Sequence, residues 1–288
     1  MNKEELKSLV AELLTQMQGE KADAAPSAAP SGELLPDITN IDLRTQYLIE
    51  HPQNAAEFTA LKARTPARLG LGRAGTRYKT ATLLRFRADH AAAQDSVFSL
   101  VPETFAKEHD LVPVTTECRD KDEYLTRPDL GRRFDEHNAK VITEVCKGHR
   151  VLLVIGDGLS SAAITANAPD CAAAIRQGLK AQGIDPGKSL FIRFCRVGAS
   201  DHIGELTGCE LVCMLVGERP GLVTNESMSC YLTYKPHRGI PESKRTVVSN
   251  IHRQGISAVE AGAHIASLIE KMLRQKASGI DLAQEVDG

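Results

Sequence analysis

Three polar tips, each following a continuous apolar run, gather the side chains of this sequence that can do chemistry. Residues Val151 to Ser161 read VLLVIGDGLSS, with Asp157 held between Gly156 and Gly158 and with Ser160 and Ser161 behind it. Residues Ser189 to Glu205 read SLFIRFCRVGASDHIGE, in which Arg193 and Arg196 flank Phe194 and Cys195, and Asp201 stands beside His202. Residues Glu210 to Gly221 read ELVCMLVGERPG and end in Glu218-Arg219-Pro220. Glycines around Asp157 and Gly158 let backbone approach a ligand closely, and Ser160 is placed to cap a helix beginning at Ser161. Adjacent Glu218 and Arg219 pair poorly with each other, so both are expected to look outward to a ligand or partner. Alternation sends Arg193 and Arg196 to opposite faces, and one of them is expected to face the crevice.

These tips offer binding rather than bond-breaking chemistry. No serine has glycines two residues away on both sides, which removes the nucleophile elbow. The histidines form no H-x-x-H or H-E-x-x-H pair and encode no metal site, and His202 reads as a surface residue of a loop. Gly70 to Gly75 spell G-x-G-x-x-G, but they follow the charged segment ARTPAR instead of a buried strand, so a dinucleotide loop is refused. Arg64, Arg68, Arg73, Arg77 and Lys79 surround those glycines and are available to carboxylates of a partner or to a ligand phosphate.

Continuous apolar runs are how strands buried on both faces read, and ligands of an open parallel sheet sit beyond the carboxyl ends of its strands. A helix from Asp170 to Gln182, stopped by Gly183, gives a crossover of ample length to a strand at Leu190 to Cys195. Arg127-Pro128-Asp129 is expected to open a helix that Gly148 ends. A short strand near Thr246 to Val248 precedes a final helix with a capping box, Ser257 and Glu260. Upstream, helices are expected at Asn54 to Arg64, Lys79 to Ala93 and Asp95 to Lys107. Met1 to Gly19 spaces Leu6, Leu9, Val10, Leu13, Leu14 and Met17 as one apolar stripe, and residues 20–33 are rich in Ala, Pro and Ser. A sticky helix on a flexible tether is the form of a docking peptide. The expected architecture is therefore α/β: an amphipathic helix (1–19), a linker (20–33), a small helical domain (34–111) and a Rossmann-like, mainly parallel sheet with flanking helices (112–288).

The 288 residues carry a formal net charge of -2 and few aromatics, which argues against nucleic acid as a partner. No apolar run approaches the roughly 20 residues that span a bilayer, and no secretory leader is legible. Seven cysteines without a C-x-x-C pair fit a reducing cytosol and buried thiols.

Taken in order, YLTRPDLGRR, GDGLS, FIRFCRV, IGE, LVGERPGL, ESMSCY, SNIH and KASGI, with GRAGTR and LLRFRADHA upstream, resemble the light (small) subunit of ethanolamine ammonia-lyase over nearly the whole chain. The resemblance implies adenosylcobalamin-dependent conversion of ethanolamine to acetaldehyde and ammonia, with a large TIM-barrel subunit holding the substrate. The small subunit then clamps cobalamin from the other side, and no catalytic acid, base or nucleophile is expected here. The absence of D-x-H-x-x-G agrees with a cofactor that keeps its own base on cobalt. Carried over by motif, cobalamin contacts fall on Val197, Glu218 and Val247. A Cys stands at this last position in the family's pattern, which leaves Val247 a backbone or van der Waals contact. Arg196, Asp157 and Gly158 are added as candidate contacts from their place at the tips. The resemblance also implies a bacterial microcompartment, with the N-terminal helix docking on shell or lumen proteins. Two rival readings are a non-catalytic scaffold of the compartment lumen and an NAD-dependent dehydrogenase using Gly70 to Gly75.

Overall fold

The computed structural model describes residues 37–284, so the expected helix over Met1 to Gly19 and the linker over 20–33 lie outside the described residues. From Asp42 onward the described chain belongs to one compact unit. It is mixed α/β.

Ahead of the main sheet come helix α1 (Ala55–Lys62), the two-residue strands β1 (Arg73–Ala74) and β2 (Arg77–Tyr78), and helices α2 (Thr80–Phe98) and α3 (Phe105–Glu108). The G-x-G-x-x-G letters therefore become a hairpin. β1 and β2 pair antiparallel, and Gly75 supplies the positive φ of the turn between them, so nothing here resembles a strand-to-helix dinucleotide loop. The expected helix from Asp95 to Lys107 is instead broken. α2 runs on through Phe98 and stops, because Pro102 disfavours helix at Val101 and the Val101 N–H is drawn away to donate to Asp157 Oδ2 at 3.2 Å.

The remainder reads β3 (Val112–Thr115), α4 (Lys121–Thr126), α5 (Glu136–Val145), β4 (Val151–Gly156), α6 (Ser161–Ala181), β5 (Leu190–Arg193), α7 (Ala199–Thr207), β6 (Leu211–Gly217), β7 (Met228–Tyr234), β8 (Arg245–Ile251), α8 (Ala258–Gln275) and α9 (Ile280–Gln284). The helix expected from Arg127 starts later than the sequence suggests. Leu130–Arg132 is only a 3₁₀ turn, and Asp135 caps α5 by accepting from Asn138 N at 2.8 Å. α6 begins earlier than Asp170 because Ser160 Oγ accepts from Ala163 N at 3.0 Å, and the helix then carries Pro169 within it. The capping box of α8 forms as expected, with Ser257 Oγ accepting from Glu260 N at 3.3 Å.

Strand order is β3-β5-β4-β6-β7-β8. The pairs β3–β5, β5–β4 and β4–β6 are parallel, while β6–β7 and β7–β8 are antiparallel. Every residue of β4 and of β6 is buried, as continuous apolar runs require. Leu153, Ile155, Cys213 and Leu215 face α6 and α8 on one side, and Leu152, Val154, Val212 and Met214 face α5 and α7 on the other. The two helix pairs do not reach equally far. α6 and α8 extend over β7 and β8, whereas α5 lies over β3 and α7 over β6. On the α5/α7 side the β7–β8 half of the sheet is consequently left partly open, with Val247 45% exposed.

Candidate functional site

β4 and β6 are neighbours, yet the chain leaves β4 toward β5 and leaves β6 toward β7, in opposite directions. Such a reversal opens a crevice beyond the carboxyl ends of the strands. In this protein backbone fills that crevice. Leu159 N donates to Gly217 O at 3.2 Å, and a Cβ on Gly158 would stand 2.6 Å from Val216 Cγ2. Asp157 is 1% exposed, and its Oδ2 accepts from Arg193 Nη1 at 2.6 Å as well as from Val101. Burial pushes the Asp157 carboxyl upward, while the charges of Lys121 and Arg193 act against that shift. The expected rim at Asp157 and Gly158 is thus a buried junction that joins β4, β5 and β6, and the glycine serves protein packing.

Both arginines of the β5 tip are also engaged within the protein. Arg193 takes Asp157, and Arg196 lies 4.2 Å from the Tyr124 ring centroid while Nη2 donates to Tyr124 O at 2.7 Å. Asp157 Oδ1 and Arg196 Nε have no hydrogen-bond partner among the described residues. His202 departs from the expected surface position. It sits in α7, 8% exposed, and its Nδ1 accepts from Phe134 N at 3.1 Å, which requires an unprotonated nitrogen; burial lowers its basicity accordingly. Of the basic residues near Gly70, Arg68 is taken up by Asp89 and Lys79 by Glu50. All seven cysteines are free and buried.

Three of the expected positions do share one surface. Val197 packs against the α5/α7-side core as the chain turns into α7. Alternation from Val216 puts Glu218 on that same side, and the pairing of Val216 with Ser229 fixes it. Glu218 accepts from Ser227 Oγ at 2.8 Å and from Ser229 Oγ, which holds the carboxylate at the tip of β7 and leaves lone pairs for a ligand donor. Across β7, Met214 pairs with Tyr231 and Tyr231 with Val247, so Val247 also belongs to the α5/α7 side. Arg219 turns away from Glu218. It lines an open groove of about 320 Å³ with His90 and Phe98 of α2 and with Leu222.

A buried ion pair, which sequence reading missed, ties this surface together. Arg245 of β8 bonds both oxygens of Asp201 in α7 at 2.8 Å each, and it also reaches Ser200 Oγ, Thr233 Oγ1 and Glu242. Ser200 Oγ in turn donates to Val197 O at 2.8 Å. Arg245 therefore fixes β8, and with it Val247, against the helix that Val197 leads into. No local signal marks the pair, because its partners stand 44 residues apart.

Among the described residues no helix is long and apolar enough to cross a membrane, and no group of three or more His, Cys, Asp or Glu side chains is placed to hold a metal ion. The arrangement offers a partly open sheet face, on which Val247 and the ring of Tyr231 are the surfaces left uncovered, with one carboxylate at its rim; that suits a broad flat ligand carrying hydrogen-bond donors at its edge.

The family described as ethanolamine ammonia-lyase light chain (EutC) matches residues 55–283. The chain is 57% identical over 292 residues to the ethanolamine ammonia-lyase small subunit of Clostridioides difficile, covering 98% of this chain and 100% of that protein. It is 55% identical over 294 residues to the small subunit of Clostridium perfringens, and 53% identical over 292 residues to that of Listeria innocua, again across 98% of this chain and all of each relative. Matches of that depth along nearly the whole length mean that this chain belongs to the ethanolamine ammonia-lyase light-chain family.

Proposed function

We propose that this chain is the small subunit of an adenosylcobalamin-dependent ethanolamine ammonia-lyase, and that it holds the cofactor against a large TIM-barrel subunit that carries the substrate. When bound, the cofactor supplies the radical chemistry that turns ethanolamine into acetaldehyde and ammonia. The residues of this chain bind and orient. The observation that carries the reading is the convergence of Val197, Glu218 and Val247 on one incompletely covered sheet face. A corrin is a flat macrocycle with an apolar body and carboxamides at its rim. Val197 and Val247 meet the first requirement by van der Waals contact, and the spare lone pairs of Glu218 meet the second by accepting from carboxamide N–H groups. Val247 has no polar atom on its side chain, so its contribution is contact area alone. Arg196 stands beside Val197 with its guanidinium held on Tyr124 and its Nε buried, so it positions the turn that presents Val197. Asp157 and Gly158 support this surface from beneath.

Glu218→Ala is expected to weaken binding of cyanocobalamin to the two-subunit complex about tenfold, corresponding to about 1.4 kcal/mol, as read from the shift of its visible spectrum during titration. An unchanged Kd would remove the main support for the reading.

The N-terminal segment has a separate role in this proposal. Met1 to Gly19 docks the enzyme on shell or lumen proteins of a bacterial microcompartment, and residues 20–33 tether it to the helical (34–111) and Rossmann-like (112–288) parts. Deleting Met1 to Gly19 is expected to leave ethanolamine deamination intact and to release the enzyme from the compartment fraction. Continued co-sedimentation with shells would sink that assignment.

A further inference from the structure

The open half of the sheet holds one large side chain with no role so far. Tyr231 stands in a cross-strand row between Met214 of β6 and Val247 of β8, on the α5/α7 side. Its two neighbours in the row differ sharply: Met214 is 0% exposed and Val247 is 45% exposed. The ring thus covers the step from core to open face. Along β7 the same side carries Ser229, which anchors Glu218, and Thr233, which anchors Arg245. Both neighbours of Tyr231 on that side of the strand are therefore committed, Ser229 to the rim carboxylate and Thr233 to the buried guanidinium.

The phenol itself is not committed. Glu218 is satisfied by two serines, and the Tyr231 hydroxyl makes no hydrogen bond among the described residues. The oxygen nonetheless lies in the field of the Glu218 carboxylate: burial pushes the phenol upward from its ordinary value, and the Glu218 charge adds to the shift. A tyrosine hydroxyl covered by a partner surface without an acceptor costs free energy, so whatever covers this face has to bring an acceptor to it. Tyrosine joins a flat apolar body to a polar tip, which is the form that meets an apolar ring edged by amides.

We propose that Tyr231 is a further cofactor contact, its ring lying under the corrin between Glu218 and Val247 and its hydroxyl donating to a carboxamide oxygen on the corrin rim. This rests on the cobalamin-clamp reading given above. Tyr231 and Glu218 then act on the same class of group from opposite senses, the phenol as donor to a carboxamide C=O and the carboxylate as acceptor from a carboxamide N–H. Together they select a primary amide over a carboxylate or an ester at that edge of the ring.

The test is titration of the reconstituted two-subunit complex with cyanocobalamin, comparing wild type, Tyr231→Phe and Glu218→Ala. Tyr231→Phe keeps the ring and its packing, so it separates the hydroxyl from the fold. The expected result is a Kd about 3- to 10-fold weaker with the thermal midpoint and subunit assembly of the complex unchanged. A wild-type Kd for Tyr231→Phe overturns the inference. If Glu218→Ala weakens binding in that same experiment, the clamp reading stands without Tyr231; if both variants bind as wild type, the clamp reading falls as well. A second titration with a cobalamin whose rim amides are hydrolysed to carboxylates reads the selectivity. Wild type is expected to lose affinity for it, and Glu218→Ala is expected to lose less; equal losses overturn the assigned amide recognition.

Discussion

Replacing Gly217 with alanine is expected to cost about 3 kcal/mol of stability and to loosen cobalamin binding as well. Gly217 is the last residue of β6, and its α-carbon faces the start of α6, where an added Cβ would collide with the Ser160 carbonyl and crowd the Ser160 backbone. A clash with a flexible side-chain end is cheap to relieve, but this neighbour is backbone. Ser160 cannot give way, since its Oγ caps α6 through Ala163 N and also donates to Asn225 O at 2.5 Å. Overpacking typically costs about 1–3 kcal/mol, and a rigid neighbour puts this site at the upper end. The displacement passes directly to the next residue, Glu218, so ligand affinity falls with stability. Gly221→Ala is the matched control: a Cβ there meets nothing within 4 Å, and both properties should stay within error of wild type. Thermal melts and cyanocobalamin titration of the complex read both effects. A Gly217→Ala complex as stable as the Gly221→Ala one would show that the β6–α6 junction yields.

The parts of this fold legible in sequence are those where local pattern and burial coincide. VLLVIG and LVCMLVG read as strands because both faces of β4 and β6 are covered, leaving no polar position to interrupt the run. MSCYLTY was illegible for the opposite reason. Ser229 and Thr233 are polar yet buried, held by Glu218 and Arg245, and with the half-buried Tyr231 between them they break the apolar run. β3 hides behind Pro113, which an edge strand tolerates. Two caps are readable there, Ser160 for a helix at Ser161 and Asp170 for one through Gln182; Ser160 is the one used, and tertiary packing carries a single helix through Pro169.

The site divides along the same line. Glu218 and Val197 follow visible strands, so their place beyond the sheet was readable. That Val247 joins them depends on the register of β8 through β7, and an unrecognised strand gives no register. GDGLS is half legible: Ser160 caps the helix at Ser161 as its place suggests, but glycine has two uses. Its freedom serves ligand approach at some strand tips, and here it lets one strand tip pack on another. His202 and Asp201 sit side by side in sequence and serve different partners, Phe134 N and Arg245, which only the folded chain brings near.

The second large effect is expected at that last pair. The Arg245 side chain is 2% exposed and that of Asp201 is 11% exposed. Burial works against the guanidinium charge, but the bonds to Asp201 and Glu242 outweigh it and Arg245 stays charged. Arg245→Met strands a buried carboxylate beside Ser200 and Thr233, which costs about 3–5 kcal/mol. Glu242 is 70% exposed on its side chain and cannot compensate, because its share in the pair is solvated. Arg245→Met combined with Asp201→Leu removes both charges and should recover most of the lost stability, since an apolar pair of similar volume often matches a buried ion pair. Cobalamin affinity is expected to behave otherwise. The guanidinium reaches Ser200 Oγ, which holds Val197 O, and it anchors the strand that presents Val247. Those links are directional and no methionine–leucine contact replaces them. The double variant should therefore melt close to wild type and still bind cyanocobalamin weakly, which separates the positioning role of Arg245 from its contribution to folding. A double variant no more stable than Arg245→Met would mean that the pair is held by its hydrogen bonds rather than by mutual charge neutralisation, and a wild-type Kd in a well-folded double variant would detach Arg245 from the binding face.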